Sequence, residues 1–578
     1  MIHTSCVSGL ADRLNSMYRC NRDENICYIL IFLPDTEALP LAVINRFIYI
    51  LLIMKKVILL AFIVIPFISQ AQSDTVKVII RPNVHYQTLD GFGGSLAYYS
   101  NWFTAHQKKY EIFKLIFKGL NLDLLRTMVG YDDNCSDLKE FASSAKVNLG
   151  HKISILATSW APVDSLKNTG DRKNGGTLRY TLVDGKPVFD YEGFANWWLD
   201  RLRLYKKNNV YPDYISIQNE PNMNVGYECC LFEASEVNNQ TDTTLMRASY
   251  PKALRAVVAA IAADTNLIMP RFVGPEGVGC IASDVQLVTR KADLSLMYAI
   301  AYHYYRGGTK EDADTYSASL AATRLFADKH DSIPLWQTEY SGPGTWINEA
   351  LHIYNNMVLA NAQAYLYWGL IYPDAGALIE IGNPWSSTNY IVHPKYYSMK
   401  HFSFFAGKGY LRVDADSYED LRVTAFVSPQ KDKLAVVVIN KSGNKAYPFA
   451  LKAAGYATDR YMVYRSTEDR KWFVPAADSL WSSPAGSITT FEFTGDYTSE
   501  EPTVYDESQL SAFPNPATDL VFVNGYEQGR TYSVIDLSGR TVLTGCYDAD
   551  SGVHVSGLLK GYYFIITSDK RCLPFIKN

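Results

Sequence analysis

Three glutamates of the sequence stand where a short apolar run ends. Glu220 follows "YISIQN", Glu276 ends "RFVGPE" and Glu339 lies in "LWQTEY". Each run is typical of a buried strand, so its glutamate is expected at the rim of a sheet. Two carboxyl groups facing one substrate can cleave a glycosidic bond, because one protonates the leaving oxygen while the other attacks or stabilises the anomeric carbon. A glutamate that only faces solvent or caps a helix is the alternative for each.

The neighbours of these glutamates favour two of them as the reacting pair. Asn219 directly precedes Glu220 and can hydrogen-bond a sugar hydroxyl, and Glu339 ends a core-like strand ahead of a glycine-containing turn. Glu276 lies in "GPEG", which is typical of a turn and indicates a supporting group. We therefore take Glu220 and Glu339 as the candidate catalytic residues.

Eight apolar runs between positions 89 and 370 supply the framework that these residues need. The expected strands are Leu89–Gly94, Leu122–Met128, Ile153–Trp160, Tyr214–Asn219, Arg271–Glu276, Met297–Tyr305, Leu335–Tyr340 and Ala364–Leu370. Helical patterns separate them, at Tyr191–Lys207, Leu245–Ala262 and Thr345–Asn361 among others. Eight nearly continuous apolar strands alternating with helices predict an α/β fold of the (β/α)8 TIM barrel type. Its active site lies at the carboxyl ends of the strands, where the ends of strands four and seven face each other.

The rest of the chain divides around this barrel, which is expected over residues 89–395. Residues 396–494 show strands and turns without long helices and predict a side β-domain, which the strand within residues 72–88 is expected to join. Residues 495–510 are polar and acidic, as in a linker. Residues 511–578 alternate in the manner of a compact β-sandwich.

The beginning of the chain reads as a secretory signal at residues 54–71. A basic start with Lys55 and Lys56 precedes the apolar segment "VILLAFIVIPFI" and a small-residue cleavage pattern. Because this signal starts at an internal methionine, residues 1–53 are expected to be an upstream extension from a mis-assigned start. A single membrane anchor over Leu41–Ile68 is the alternative, disfavoured because the two lysines would interrupt it.

Composition narrows the class of ligand. The net charge is −4 and no long run of Lys or Arg is present, so a nucleic-acid partner is disfavoured. The 41 Tyr and 10 Trp suit a carbohydrate ligand, although they also suit β-sheet cores. Six of the nine cysteines lie beyond residue 53 and could form disulfides, and they show no zinc-ligand spacing. His303 lacks a partner motif for a metal site and is expected to be a structural histidine.

Seven motifs in order carry a family resemblance. "DGFGGS", "LLRTM", "LATSWAP", "ISIQNEP", "AYHYY", "LWQTEYSG" and "AYLYWGL" resemble those of glycoside hydrolase family 30, a retaining family of clan A. The resemblance extends from about Asp74 to Phe493 and is strongest to the xylanase branch. It implies a β-linked polysaccharide substrate and no cofactor or metal.

The resemblance also implies roles for individual residues. Glu220 would be the general acid/base and Glu339 the nucleophile. Asn219 would bind the hydroxyl next to the reacting carbon, Arg126 would keep the nucleophile ionised, and Tyr305 would hydrogen-bond it.

Aromatic residues at the ends of the strands would act as sugar platforms. They are Trp160, Trp368 and Tyr98, with Tyr99 or Trp102 as further candidates. The alternative for Trp368, Tyr98 and Tyr99 is that their rings pack in the core.

The loop after strand eight departs from part of the family. Glucuronoxylan-specific members place an arginine there to bind the glucuronic acid carboxylate. Here residues 369–387 contain no Arg or Lys and carry Asp374 and Glu380. The expected activity is therefore an endo-β-1,4-xylanase that does not depend on glucuronic acid decoration. Alternatives are a glucuronoxylanase, a β-1,6-glucanase, a fucosidase or a glucosylceramidase-type β-glucosidase, and, from another class, a non-catalytic glycan-binding surface protein.

The tail, Ser511–Asn578, resembles the C-terminal sorting domain of type IX secretion. The matching segments are "AFPNPA", "YSVIDLSGR", "VSGLLKGYYFI" and "KRCLPFIKN". The resemblance implies the type IX machinery as a partner, export through both membranes to the cell surface or the medium, and no stable membrane insertion. A carbohydrate-binding or spacer module is the alternative.

Overall fold

Eight parallel strands close into a barrel in the computed structural model of the protein. The strands are β1 Gly91–Ser95, β2 Leu124–Met128, β3 Ser154–Thr158, β4 Tyr214–Ser216, β5 Arg271–Gly277, β6 Ala299–His303, β7 Leu335–Glu339 and β8 Ala364–Gly369. Each pairs in parallel with the next, and β8 pairs with β1. The predicted TIM barrel is confirmed, and every predicted strand overlaps an observed one.

The structure describes residues 75–456, 460–495, 510–524, 526–537, 539–568 and 571–578. The expected signal peptide at 54–71, its alternative as a membrane anchor, the upstream extension and nearly all of the linker lie outside these residues. Within the described residues, no helix has the length and apolar character needed to cross a membrane.

Helices cover the outside of the barrel. The α-helices are Ser100–Ala105, Lys109–Lys114, Ser136–Leu149, Tyr191–Lys207, Tyr250–Ala263, Ala282–Val285, Lys291–Leu294, Ser317–Lys329, Trp346–Val358 and Pro394–Ser403. A π-helical turn spans Leu115–Gly119, and 3-10 turns span Asp164–Leu166, Thr243–Leu245, Ala313–Tyr316 and Ala477–Ser479. The helix Tyr191–Lys207 has its predicted bounds because Asp190 caps it, accepting a hydrogen bond from the Gly193 N–H.

One helix lies where only strands were predicted. Most of the helix Pro394–Ser403 falls in residues 396–494, which the sequence assigned to the side β-domain, whose next strand begins only at Leu411. Proline favours the first turn of a helix, and Tyr396, Met399 and Phe402 then follow at helical spacing and are buried.

An apolar floor fills the amino-terminal half of the barrel. It is formed by Leu124, Leu156, Tyr214, Val273, Ala299, Ala301, Trp336, Ala364 and Leu366. Asp90 closes it by accepting hydrogen bonds from the Tyr298 hydroxyl at 2.7 Å and from the Trp336 indole at 2.8 Å. With this end packed, the open end of the barrel is the one at which the strands finish.

The side domain is one eight-stranded sheet. In spatial order its strands are Tyr461–Ser466, Ser487–Thr494, Lys433–Asn440, Leu421–Val427, Leu411–Ala415, Val76–Thr88, Tyr447–Ala453 and Ser482–Ser483. The strand that precedes the barrel therefore joins the sheet that follows it, as expected. It pairs antiparallel with Leu411–Ala415 and parallel with Tyr447–Ala453.

The C-terminal region consists of two small sheets around a core that includes Val534, Ile565 and Phe575. One sheet contains Ser511–Phe513, Leu520–Asn524 and Val553–His554, and the other contains Thr541–Cys546, Thr531–Asp536, Gly561–Thr567 and Cys572–Lys577. The six cysteines of the described residues have free thiols: Cys135, Cys229, Cys230, Cys280, Cys546 and Cys572.

Short strands also shape the barrel loops. Tyr180–Val183 pairs with Lys186–Phe189, and Phe232–Glu233 pairs with Ala248–Ser249. After β8, the strands Ile371–Tyr372, Ile379–Ile381 and Tyr390–Val392 form a three-stranded sheet that gives that loop an ordered path.

Truncation of the floor should destabilise the barrel. Leu366→Ala removes a side chain with no exposed surface, so we expect the free energy of unfolding to fall by about 2–5 kcal/mol. Urea titration followed by tryptophan fluorescence measures it. Leu182→Ala, at a leucine that is 55% exposed, is the matched control and should change stability little. Equal effects of the two substitutions would contradict the assignment of the floor.

Candidate active site

Glu220 and Glu339 meet at the open end of the barrel. Glu339 is the last residue of β7, and Glu220 lies in the loop just beyond β4 with a left-handed backbone angle, φ 40°. Glu339 is 7% exposed and Glu220 is 5% exposed. One carboxylate oxygen of each lies, together with a ring nitrogen of His303, within a set of atoms no more than 4.8 Å apart. The two carboxyl groups therefore face the same small volume.

Arg126, at β2, donates to three side chains from other strands or their loops, and its Nη2 also lies 3.4 Å from Nε2 of His303. Its Nη1 donates to Glu339 Oε2 at 2.7 Å, its Nε to Glu276 Oε1 at 3.1 Å, and its Nη2 to Asn219 Oδ1 at 2.7 Å. The planar guanidinium has donors in a fixed fork, so it sets the orientation of all three side chains. Because Asn219 Oδ1 is occupied, the amide donor Nδ2 remains to meet a ligand.

Glu276 is a buried supporting group. Burial alone would raise the pKa of its carboxyl, but the charges of Arg126 and His303 outweigh that effect and bring the pKa to about 2. With no exposed surface, the Glu276 carboxylate serves as the counter-charge of Arg126 and not as a ligand-facing group.

His303, at the end of β6, is part of the same charge cluster. Its Nδ1 lies 2.9 Å from Glu220 Oε1, and its Nε2 lies 3.7 Å and 3.9 Å from Glu339 Oε2 and Glu276 Oε1. Burial lowers the pKa of the imidazole, but these three carboxylates raise the pKa to about 9. A protonated ring donates from Nδ1 to Glu220. Sequence reasoning missed this role, although the position at a strand end in "AYHYY" could have indicated it.

Two tyrosines contact the carboxyl pair. The Tyr305 hydroxyl donates to Glu339 Oε1 at 3.1 Å, and the Tyr227 hydroxyl approaches Glu220 Oε2 at 3.4 Å. Burial and the charge of Glu339 raise the pKa of Tyr305 well above its usual value, so Tyr305 keeps its proton and acts as a donor. Sequence reasoning did not find Tyr227, whose only signal is an aromatic residue in the loop after β4.

The pKa of the Glu339 carboxyl is raised above its usual value. Burial raises the pKa of Glu339, the charges of His303 and Arg126 oppose the rise, and the negative charge of Glu220 adds to it. The buried cluster places the carboxyl groups of Glu220, Glu276 and Glu339 against two cations, Arg126 and the protonated His303. Close pairing of opposite charges offsets the cost of burying them.

A metal ion has potential ligands in Glu220, His303 and Glu339. It would have to displace the Nδ1 proton of His303 and compete with Arg126 for Glu339. The donor set therefore suits the ion-pair cluster better than a cation site.

Aromatic rings line the wall beside the carboxyl pair. The Trp160 ring is 5.7 Å from that of Tyr98 and 5.9 Å from that of Trp368, and the Arg126 guanidinium lies 4.7 Å from the Trp160 ring centre. Trp160 is only 2% exposed, so little of its ring is open to a ligand. Trp368 and Tyr98 are partly exposed, and the Tyr98 hydroxyl donates to Glu228 at 3.1 Å.

Known proteins share this arrangement of barrel and side sheet. The chain is 26% identical over 430 residues to the glucuronoxylanase XynC of Bacillus subtilis strain 168, covering 72% of this chain and 91% of that protein. The catalytic domain of xylanase C from Talaromyces cellulolyticus, of glycoside hydrolase family 30, matches with a TM-score of 0.58 at 18% identity, covering 72% of this chain and all of that domain. The chain is similar in fold to solved glycoside hydrolases of family 30. Another solved family 30 structure, the subfamily 8 xylanase Xyn30A from Clostridium acetobutylicum, has a TM-score of 0.54 at 21% identity, covering 72% of this chain and 100% of that one.

The C-terminal part of the chain matches an export domain. Residues 511–572 match the secretion system C-terminal sorting domain. The predicted type IX sorting tail is thus confirmed, and it directs the protein to the cell surface or out of the cell.

The charge state of His303 should make stability pH-dependent. Because the pKa of His303 is about 9 when folded and 6.5 in its ordinary state, the proton binds the folded protein more tightly. Its contribution to stability is complete below pH 6.5 and is lost as the pH rises through 9. We expect His303→Gln to lower the melting temperature most at pH 6, by an amount equivalent to roughly 1–3 kcal/mol, and progressively less towards alkaline pH. A difference in melting temperature between wild type and variant that stays constant from pH 6 to 9.5 would contradict this prediction.

Proposed function

We propose that this protein is a retaining endo-β-1,4-xylanase that does not require glucuronic acid on its substrate. The observation that carries the proposal is the spacing of Glu220 and Glu339, with an oxygen of each inside a set of atoms within 4.8 Å. Retention through a covalent intermediate needs carboxyl groups about 5–5.5 Å apart, whereas inversion leaves room for a water at about 6.5–9.5 Å.

The hydrogen bonds distinguish the roles of the two acids. Both oxygens of Glu339 accept from strong donors, Arg126 and Tyr305, which favours the ionised form needed for a nucleophile. Glu220 accepts from His303 at Oε1, so the proton of its acid form belongs on Oε2. That oxygen lies on the side of Tyr227, which is 43% exposed and borders the opening.

The reaction then proceeds in two displacements. A Glu339 oxygen bonds to the anomeric carbon while the bond to the leaving oxygen breaks and Glu220 gives that oxygen its proton. Glu220, now a carboxylate, takes a proton from water as the water attacks the same carbon and releases Glu339. Two inversions restore the original configuration. The Asn219 amide donor is placed to bind a hydroxyl beside the reacting carbon.

The loop after β8 supports the substrate preference. Tyr372 in this loop packs 6.0 Å from the Trp368 ring, so the loop borders the aromatic wall. Residues 369–387 contain no Arg or Lys, and Glu380 is paired with His393 at 2.8 Å. A glucuronic acid carboxylate at this loop would find no bidentate partner.

A glucuronoxylanase is the second candidate. The Bacillus relative bears that activity in its name, and Lys310, from the loop after β6, lies with Nζ 5.0 Å from the Tyr305 ring centre. A lysine supplies a point charge without the guanidinium fork, so this contact offers a weaker clamp for a carboxylate.

Replacement of the nucleophile tests the mechanism. Glu339→Gln should reduce turnover by at least about a thousandfold, because amide oxygen cannot form the ester intermediate. Circular dichroism should show an intact fold. Glu419→Gln, at an exposed glutamate of the side sheet, is the matched control and should retain full activity. A 2-fluoro-xyloside should label Glu339 in the wild type, as read by peptide mass spectrometry. Residual turnover or a label on another residue would refute the assignment.

Decoration of the substrate tests the specificity. Values of kcat/KM on linear xylooligosaccharides should lie within about tenfold of those on glucuronoxylan fragments of equal length, a difference below roughly 1.4 kcal/mol. Nuclear magnetic resonance of the first product should show the β-anomer. Strict dependence on glucuronic acid that disappears in Lys310→Ala would instead support the glucuronoxylanase.

A further inference from the structure

A continuous row of aromatic rings leads away from the wall of the site. It starts at Trp368 and passes through four residues that we name the distal band: Tyr372, Tyr99, Trp102 and Trp385. Successive ring centres are 6.0, 5.1, 5.1 and 5.9 Å apart. Tyr372 and Trp102 are partly buried, whereas Tyr99 is 40% exposed and Trp385, at the far end of the row, is 65% exposed.

The backbone at the inner end of the band is strained. Tyr98 and Tyr99 have φ angles of 56° and 49°, so two adjacent side-chain-bearing residues adopt the left-handed conformation that L-residues rarely use. Such outliers persist where the surrounding structure holds them and where a particular side-chain direction is needed. Here the strain turns one ring towards Trp160 and the next towards Trp102 and Tyr372.

The outer end of the band is exposed but ordered. Asn383 holds the turn that carries Trp385, because its side chain accepts from the Trp385 N–H at 3.0 Å and its carbonyl from the Ser387 N–H at 2.9 Å. The Trp385 ring stands edge-on to Trp102 with an interplanar angle of 81°. A large apolar ring held at the surface in this way marks an interaction site.

We propose that the distal band binds further units of the same glycan chain that the carboxyl pair cleaves. The inference rests on the proposed function and extends it, because the band makes the protein an enzyme for long, neutral chains. The apolar faces of pyranose rings stack on aromatic rings whose polar edges remain hydrated. The residues of the band and the loop 369–387 include no cation, so the ligand class is an uncharged β-linked polysaccharide.

The row is continuous with the catalytic wall, and this continuity identifies its occupant. A glycan chain stacked on Trp368 can continue directly onto the neighbouring ring of Tyr372 and then along the rest of the band. A protein or membrane ligand would have no reason to extend to the carboxyl pair. Cleavage should therefore occur inside a chain and release oligosaccharides.

The chain-length dependence of the rate is the first test. For linear xylooligosaccharides from two to eight units, kcat/KM of the wild type should increase with length. Trp385→Ala and Trp102→Ala should each lower kcat/KM on the longest substrate by about tenfold and leave that on the shortest unchanged. Tyr418→Ala, at a 48% exposed tyrosine of the side sheet, is the matched control. A loss that is equal at all lengths, no loss, or a wild type without length dependence would overturn the inference.

Binding without turnover separates this inference from the proposed function. In the Glu339→Gln background, electrophoresis through gels containing arabinoxylan, mixed-linkage β-glucan or β-1,6-glucan should show retardation that Trp385→Ala abolishes. If the wild type cleaves no glycan, the proposed function fails, yet this retardation still supports the band. Retardation that Trp385→Ala leaves intact overturns the inference. A Trp385→Ala variant that keeps its retardation by glycan but no longer binds phosphatidylcholine vesicles also overturns it.

Discussion

The site depends on one buried cation, Arg126. Its guanidinium contacts Glu339, Glu276 and Asn219, which come from three different parts of the barrel rim. Burying these charges is costly, and the arrangement is stable because each charge has a close partner. Loss of the guanidinium would leave Glu276 and Glu339 with only the more distant charge of His303 beside them, so the same interaction serves stability and orientation. The second cation, His303, extends this network to Glu220, which Arg126 does not contact.

The barrel separates packing from chemistry along its axis. Apolar side chains fill the half where the strands begin, and the charge cluster occupies the half where they end. Backbone strain follows the same division, since Glu220 and Glu276 both have left-handed φ angles, 40° and 57°. Conformations of this kind cost of order 1–3 kcal/mol each. Burial of the apolar floor stabilises the barrel and offsets the conformational cost of these left-handed residues at the rim.

The sequence was sufficient for features that depend on local patterns. Apolar runs predicted eight strands, and strand order alone placed the ends of β4 and β7 opposite each other. It was insufficient where a property arises from residues of several strands. The charge of His303 comes from three glutamates 27 to 83 positions away, which no window of sequence contains, and Trp385 in "GNPWSS" resembles any loop tryptophan until Trp102 is found beside it. The helix Pro394–Ser403 was hidden because its aromatic residues also suit strands.

The position of the strand Val76–Thr88 has a consequence for how the molecule assembles. Arg81 on this strand bonds Asp414, 333 residues later, and the entire barrel is made from the chain between them. Contacts this distant close slowly, because the entropy of a long loop is lost before any contact compensates it. The strand Val76–Thr88 has both of its sheet partners, Leu411–Ala415 and Tyr447–Ala453, on the far side of the barrel sequence. Until that later part of the chain is available, both edges of this early strand lack the partners that their backbone groups need.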